Sequence, residues 1–186
     1  MIKPLLTTAL KDLGELLPKL AVLEPALHTL ADTMLACWQA RGKVLIAGNG
    51  GSAADAMHLA EELSVRYQKN RKALAAIALC DPAAITCAGN DFGYEHIFAR
   101  QVEALGNAGD VFVALTTSGN SPSIVRALEI ARLQGLRTAG FLGNDGGRAR
   151  ALTDIPLIVP SDATARIQEA HKVLFHVLCE YIESRL

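Results

Sequence analysis

The chain has 186 residues, of which 51% are hydrophobic and 20% are charged, and its formal net charge is −1 at pH 7. This length suits one domain with a full hydrophobic core, and the composition is that of a folded globular protein. A charge so close to zero gives no reason to expect nucleic acid or an anionic membrane as a partner, so we expect neither.

The N-terminal segment does not read as a signal peptide, because charged residues interrupt its apolar ones: Lys11, Asp12, Glu15 and Lys19. We also find no window with the roughly 20 apolar residues that a membrane span requires. The cytoplasm is therefore the expected location.

The cysteines form no C-x-x-C pair, and each lies in an apolar run: Cys37, Cys80, Cys87 and Cys179. This pattern indicates small buried side chains in a reducing compartment rather than disulfides or a metal site.

Hydrophobic periodicity predicts two N-terminal helices over about residues 1–41, with a break at Pro18 and a stop at Gly42. Short apolar runs then alternate with helical segments. The predicted strands are 43–48, 74–79, 110–116, 137–143 and 154–160. The predicted helices begin near Ser52, Pro82, Tyr94 and Pro122, and a long closing helix runs from Ala165.

Strands that alternate with helices indicate a parallel sheet covered on both faces. The predicted fold class is therefore α/β, with a parallel β-sheet flanked by helices, N-terminal helices and a long C-terminal helix. We expect one domain over residues 1–186, with a helical extension at about 1–41. Ligands of such sheets bind outside the carboxyl ends of the strands.

Glycine and small hydroxyl residues fill the turns after three strands: GNGGS at 48–52, TTSGNS at 116–121 and GNDGG at 143–147. In the first two, a helix follows at once, so backbone N–H groups at its positive end can hold an anion without lysine. Alternatively, these are ordinary turns in which Ser52 and Ser121 cap the helices. The Rossmann fingerprint and the P-loop are both missing, which favours a small phosphorylated ligand over a nucleotide.

Candidate acid–base and metal-binding residues follow the first turn. His58 and Glu62 are four residues apart and share one face of a helix, and Glu61 is the competing partner. A carboxylate beside an imidazole suits proton transfer or metal binding, but it also fits an ordinary ion pair on a half-exposed helix.

The closing helix offers Gln168, His171 and His176. Apolar neighbours flank His176, which fits a core histidine as well as a functional one. Eight residues separate Gln168 from His176, or about 12 Å along a continuous helix. Both reach one small site only if Gln168 lies at a frayed helix start or if subunits share the site. We favour a shared site, because the long apolar terminal helices also need a surface to bury.

Four motifs in chain order resemble the phosphoheptose isomerase family of the sugar isomerase (SIS) fold: GNGGSAADAMHLAEEL at 48–63, GNDFG at 89–93, GDV followed by TSGNS within 109–121, and RIQE with two histidines within 166–176. The resemblance covers nearly the whole chain. It implies conversion of sedoheptulose 7-phosphate to D-glycero-D-manno-heptose 7-phosphate, the first step toward ADP- or GDP-heptose for lipopolysaccharide or capsule. It also implies a homotetramer, which agrees with the active site at a subunit interface that we favour from the helix spacing.

The resemblance further implies one zinc ion per subunit, with ligands at His58, Glu62, Gln168 and His176. It selects Glu62 over Glu61 and His176 over His171. We assign Glu62 as the base and His176 as its acid–base partner. Thr116 stands where many relatives have serine and keeps the hydroxyl. The implied substrate contacts are Asn49, Gly50, Gly51, Ser52, Glu62, Arg66, Asn90, Asp91, Thr116, Thr117, Ser118, Ser121 and Gln168.

Other proteins of this fold leave alternatives open. One is a non-enzymatic DnaA-binding replication regulator, which shares the glycine-rich turns but tends to lack an acidic residue at the position of Glu62. Others are a sugar-phosphate sensor, an arabinose-phosphate isomerase or an amino-sugar etherase. Glu62 together with His58, Gln168 and His176 favours the isomerase.

Overall fold

A computed structural model describes residues 4–186. The helices are α1 (Leu5–Leu16), α2 (Glu24–Gln39), α3 (Gly51–Ser64), α4 (Pro82–Phe92), α5 (Ala99–Leu105), α6 (Pro122–Leu133), α7 (Gly147–Arg150) and α8 (Thr164–Glu183). The strands are β1 (Val44–Gly48), β2 (Ala76–Ala78), β3 (Val111–Thr116), β4 (Arg137–Gly143) and β5 (Ile155–Val159).

The five strands form one sheet in the order β2-β1-β3-β4-β5, and every pair is parallel. Central strands β1 and β3 are buried along their whole length, as expected when helices cover both faces of a parallel sheet. The α/β fold class is therefore confirmed.

The strand order changes direction between β1 and β3, and this places their following helices on opposite faces. Helix α3 packs through Leu59 and Leu63 into the core that also contains Ile46, together with α2 and α8. Helix α6 packs through Ile124 and Leu128 into the other core, together with α5. A crevice therefore lies outside the carboxyl ends of β1 and β3, which is where ligands bind in open α/β sheets.

The predicted break at Pro18 is confirmed, because a 3₁₀ segment, Leu17–Leu23, contains this proline and joins α1 to α2. The predicted helix at 94–105 is instead a 3₁₀ turn, Tyr94–His96, followed by α5. The turn follows Gly93, whose φ of +95° is accessible to glycine and costly for other residues.

The N-terminal region corrects one expectation. The helical stretch Leu5–Gln39 is long and apolar enough to cross a membrane by length and composition alone, and 33% of its most apolar part is buried. This is weak evidence for a span, because a core helix passes the same test. Here α2 contributes the fully buried Leu30 and Met34 to the core that it shares with α8.

The prediction that the cysteines are buried is confirmed for Cys37 and Cys179 and is wrong for Cys87. All four are free thiols, and Cys37 and Cys179 are buried. Cys87 is exposed, because it lies on the outer side of α4, where its thiol donates to Asp91 Oδ2 at 3.5 Å. Cys80 is half-buried at the end of β2. An apolar run therefore did not predict which face of α4 the thiol would take.

Candidate active site

Helices α3 and α8 lie side by side and run in the same direction, so that residues pair across them at a nearly constant offset in sequence. The pairs are Gly51 with Gln168, Asp55 with Lys172, and His58 with His176. Just beyond the end of α3, the backbone N–H of Tyr67 donates to Glu183. This register decides which polar residues of the two helices can meet.

The register brings together His58, Glu62 and His176. His58 Nε2 lies 3.1 Å from Glu62 Oε1, and the His58 and His176 rings lie 5.2 Å apart between centroids. One potential ligand atom from each of the three lies within 4.8 Å of the others. All three are half-buried. We call this group the His–Glu–His cluster.

Aromatic rings pack against the cluster. Phe175 meets His176 edge-on at 4.7 Å between centroids, and Tyr67 stacks on His176 at 5.7 Å. Burial lowers the pKa of His176, and the nearby His58 lowers it further, although Glu62 acts in the opposite direction. The neutral imidazole is therefore favoured, and that form can accept a proton or bind a metal.

Gln168 lies elsewhere. A Cβ atom on Gly51 would come within 2.6 Å of Gln168 Nε2, so the Gln168 amide rests on the first turn of α3. Gln168 is the fifth residue of α8, inside the regular helix, and not at a frayed start. Two helical turns, or about 12 Å of rise, separate it from His176. Within one chain, Gln168 therefore belongs with the glycine-rich turn and not with the His–Glu–His cluster.

The first glycine-rich turn approaches α3 too closely for side chains. A Cβ on Gly48 would lie 2.4 Å from the Ser52 carbonyl oxygen, and Gly50 occupies the N-cap position with a φ of +55°. Ser52 lies inside the helix, so it does not cap α3. The first backbone N–H groups of α3 therefore have no side-chain cap.

The second turn presents hydroxyls. Thr116 Oγ1 accepts a hydrogen bond from the Gly119 N–H at 3.2 Å, and Ser118 Oγ accepts one from the Asn120 N–H at 3.1 Å. Ser121 occupies the N-cap position of α6 but makes no side-chain capping bond. Neither serine cap, which was the alternative interpretation of these turns, is therefore formed, so no side-chain oxygen occupies the positive ends of α3 and α6.

Asn49 connects the two turns. Its Nδ2 donates to Ser123 Oγ at 3.0 Å, and the Tyr94 hydroxyl donates to its Oδ1 at 3.0 Å. Sequence reasoning did not select Tyr94 or Ser123. Only their places in the sequence could have pointed to them, because Tyr94 comes directly after the GNDFG motif and Ser123 lies two residues after the TTSGNS turn.

Three other predicted site residues make contacts of their own. Asn90 Nδ2 donates to Asp91 Oδ1 at 2.7 Å, and both residues are exposed near the end of α4. Arg66 is exposed beyond α3 and donates to Asn70 Oδ1 at 2.8 Å. The structure does not join these three residues to the His–Glu–His cluster by hydrogen bonds.

Comparison with known proteins assigns this chain to one class of domain. A family model described as "SIS domain" matches residues 10–143, more than half of the chain. The chain therefore contains the SIS domain of sugar isomerases.

Individual relatives narrow the class. The chain is 54% identical to the phosphoheptose isomerase of Paramagnetospirillum magneticum over 165 aligned residues. These residues make up 88% of this chain and 85% of that protein. It superposes on phosphoheptose isomerase GmhA from Neisseria gonorrhoeae with a TM-score of 0.92 and 38% sequence identity. The superposition covers 99% of this chain and 100% of the Neisseria chain. The corresponding enzyme from Francisella tularensis gives a TM-score of 0.93 and 38% identity, with 96% of each chain covered. The chain belongs to the phosphoheptose isomerase family and is an isomerase.

The second histidine of α8 leads to a prediction about stability. His171 is fully buried, and its Nε2 lies 3.2 Å from the Leu142 carbonyl oxygen. Among residues 4–186, its Nδ1 has no hydrogen-bond partner. Burial lowers the pKa of His171 to about 4. Between pH 6.5 and 4 the unfolded chain therefore binds a proton that the native protein does not, so stability falls as pH falls. We expect a loss of about 2 kcal/mol in the free energy of unfolding from pH 6.5 to pH 5.

Urea unfolding of His171→Gln and wild type across this pH range checks the prediction, with His28→Gln as the control. The His28 side chain is 40% exposed. The His171 variant should show a flatter pH dependence than the other two proteins. Equal slopes in all three would mean that His171 does not control acid stability.

Proposed function

We propose that this enzyme converts sedoheptulose 7-phosphate to D-glycero-D-manno-heptose 7-phosphate, the first step toward ADP- or GDP-heptose for lipopolysaccharide or capsule. The observation that carries the proposal is the His–Glu–His cluster, in which a carboxylate and two imidazoles meet between α3 and α8. Both helices begin near the crevice at β1 and β3, and this gives a place for the phosphate of the same substrate. The names of the relatives support this substrate class.

The phosphate is assigned to the second glycine-rich turn. Thr116, Thr117, Ser118 and Ser121 supply neutral hydroxyl donors there, and α6 begins beside them with its positive dipole end. Pro122 has no N–H, and the N–H groups of Ile124 and Val125 already donate to the Ser121 carbonyl oxygen, so the hydroxyls are the main donors. Gly50, Gly51 and Ser52 supply a second uncapped helix start across the crevice. No lysine is needed to hold a dianion in such a site.

Proton transfer is assigned to Glu62 and His176. Aldose–ketose isomerisation needs a base to remove a proton from the carbon next to the carbonyl, and a partner that moves protons between the two oxygens. Glu62 is the only carboxylate of the His–Glu–His cluster, and its side chain is 14% exposed. In its favoured neutral form, His176 carries one ring proton, which it can give to one sugar oxygen before the same nitrogen takes the proton of the other oxygen, so the second ring nitrogen stays available to a metal.

The cluster also fits a divalent metal. Two imidazoles and one carboxylate with ligand atoms within 4.8 Å are the donor types that catalytic zinc prefers, with a further position left for substrate. We assign one zinc ion per subunit to His58, Glu62 and His176, and we propose that the fourth implied ligand, Gln168, comes from another subunit. A bound zinc ion would polarise the hydroxyl and carbonyl oxygens of the sugar.

We infer that a partner subunit completes the site. Gln168 lies two turns from the His–Glu–His cluster within its own chain, so it reaches a cluster only if that cluster belongs to another subunit. Exposed apolar side chains lie within three residues of the cluster along α3, at the end of α3 and along α8, and a further set lies on α1: Met57, Val65 and Val173, with Leu5, Leu6 and Leu10. A homotetramer would bury them and would bring Arg66, Asn90, Asp91 and Gln168 of neighbouring chains to one site.

We also propose that the whole chain, 1–186, is one domain in the cytoplasm. Helix α8 lies beyond the matched segment 10–143, yet Leu174, Phe175 and Leu178 belong to the same core as the sheet. Neither nucleic acid nor a membrane is needed for the proposed reaction.

A coupled assay on sedoheptulose 7-phosphate, run before and after chelator treatment, tests the reaction and the metal together. We expect turnover by the purified protein, loss of most turnover after dialysis against chelator, and recovery when zinc is added back. Turnover that is indifferent to chelator would contradict the metal assignment. No turnover with zinc present would contradict the reaction.

A further inference from the structure

The side-chain amide of Asn49 is held on both sides by residues from other parts of the fold. Ser123 accepts from its nitrogen and Tyr94 donates to its oxygen, each at 3.0 Å. Ser123 is 1% exposed in the first turn of α6, whereas Tyr94 is exposed in the 3₁₀ turn before α5. Three separate segments therefore meet on one amide above the crevice between β1 and β3.

Local structure explains how the tyrosine reaches this place. Gly93 ends α4 with a φ of +95° and ψ of 156°, a conformation that is essentially restricted to glycine. The chain reverses there, and Tyr94 then lies back toward the β1 turn. Tyr94 is 61% exposed, so packing alone does not hold its side chain in place. Its hydroxyl is held by the hydrogen bond that it donates to Asn49.

The two bonds leave half of the amide free. A primary amide has two N–H donors and an oxygen with two lone pairs, and Ser123 and Tyr94 use one of each. One N–H and one lone pair remain, and together they suit a group that both donates and accepts. A sugar hydroxyl is such a group, whereas a phosphate dianion only accepts.

We propose that Tyr94 and Ser123 are positioning residues that fix the Asn49 amide so that it binds a hydroxyl of the sugar chain and not the phosphate. The inference rests on the proposed function, which puts the phosphate on the 116–121 turn. Binding of a hydroxyl that is remote from the reacting carbons contributes equally to ground and transition states, so it lowers KM and leaves kcat little changed.

The test measures KM and kcat for sedoheptulose 7-phosphate and Ki for inorganic phosphate as a competitive inhibitor, on the full chain. The variants are Tyr94→Phe and Ser123→Ala, each alone and combined with Asn49→Ala. Tyr181→Phe is the matched control, since Tyr181 bonds Glu24 on another face of the molecule. Thermal melts accompany every variant.

We expect Tyr94→Phe and Ser123→Ala each to raise KM by about threefold to tenfold, because each removes one hydrogen bond and this is the usual net effect of such a loss. Their kcat, and the Ki of inorganic phosphate, should stay near wild type. In the Asn49→Ala background, Tyr94→Phe should add no further loss, because both act through the same amide.

Three results would overturn the proposal: an unchanged KM in both single variants, a parallel rise of KM and phosphate Ki, or a full Tyr94→Phe effect without Asn49. The parallel rise would mean that the residues merely hold the crevice together. Failure of the proposed function is distinguishable, because the wild type would then show no turnover of sedoheptulose 7-phosphate, and this inference would fall with it.

Discussion

Replacing Glu62 with Gln should lower kcat by about 10²–10⁴-fold, the usual contribution of a general base, while the protein folds as the wild type does. Glutamine keeps the size of the side chain and can still bond to His58, but it cannot take a proton from carbon. Steady-state kinetics on sedoheptulose 7-phosphate measures the loss, and circular dichroism with thermal melts checks the fold.

Glu61→Gln is the matched control for this variant. Glu61 is the neighbouring carboxylate on α3, and it is exposed outside the His–Glu–His cluster. The Glu61→Gln variant should keep a near-wild-type kcat, because it makes the same change in charge one residue away but outside the cluster. A Glu62→Gln enzyme with wild-type kcat, or equal losses in both variants, would contradict the assignment of Glu62 as the base.

Replacing Arg71 with Met should destabilise the protein by about 3 kcal/mol, because it leaves a buried carboxylate without its ion-pair partner. Arg71 Nε donates to Glu183 Oε1 at 3.0 Å, and the two side chains are 7% and 4% exposed. The guanidinium also donates to the carbonyl oxygens of Glu62 and Leu63 at the end of α3. The pair thus ties the C-terminal ends of α3 and α8 together next to the cluster.

The carboxylate of Glu183 is ionised in this environment. Burial alone would raise the pKa of Glu183, but hydrogen bonds from the backbone N–H groups of Lys69, Gln68 and Tyr67 and from Arg71 outweigh it and lower the pKa. At neutral pH, Arg71→Met therefore strands a charge and also loses the bonds to α3.

Differential scanning calorimetry at fixed protein concentration measures this effect. A loss of about 3 kcal/mol corresponds to a fall in Tm of roughly 6–12 °C for a chain of this size. Arg126→Met is the control, because its ion pair with Glu129 is exposed and should be worth less than about 1 kcal/mol. Equal Tm values for the Arg71 and Arg126 variants would show that the buried pair contributes no more than a surface pair.

The sequence was informative where a local pattern sets the structure. The five strands lie within one or two residues of their predicted ends, because buried apolar runs between helices leave few alternatives. The glycine-rich turns were also recognisable, since Gly50 and Gly119 need positive φ angles and Gly48 a close backbone approach. These turns set the crevice at β1 and β3.

Local pattern could not separate residues whose roles depend on tertiary packing. His171 and His176 both lie in an apolar stretch of α8, and only the parallel pairing with α3 places His176 in the His–Glu–His cluster and His171 in the core. The buried Arg71–Glu183 pair joins residues 112 apart in sequence and had no local signal. Tyr94 was unpredictable for the same reason, since its position depends on the chain reversal at Gly93.

The central claim is that a phosphate held at the 116–121 turn brings the first two carbons of a ketose to Glu62 and His176 of one assembled site. A crystal structure of the assembled oligomer with sedoheptulose 7-phosphate, using the slow Glu62→Gln variant, tests it most directly. We expect the phosphate within hydrogen-bond distance of Thr116, Ser118 or Ser121, and the carbonyl end beside position 62 and His176. A ligand whose phosphate lies away from that turn, or whose carbonyl end lies away from both side chains, would contradict the account.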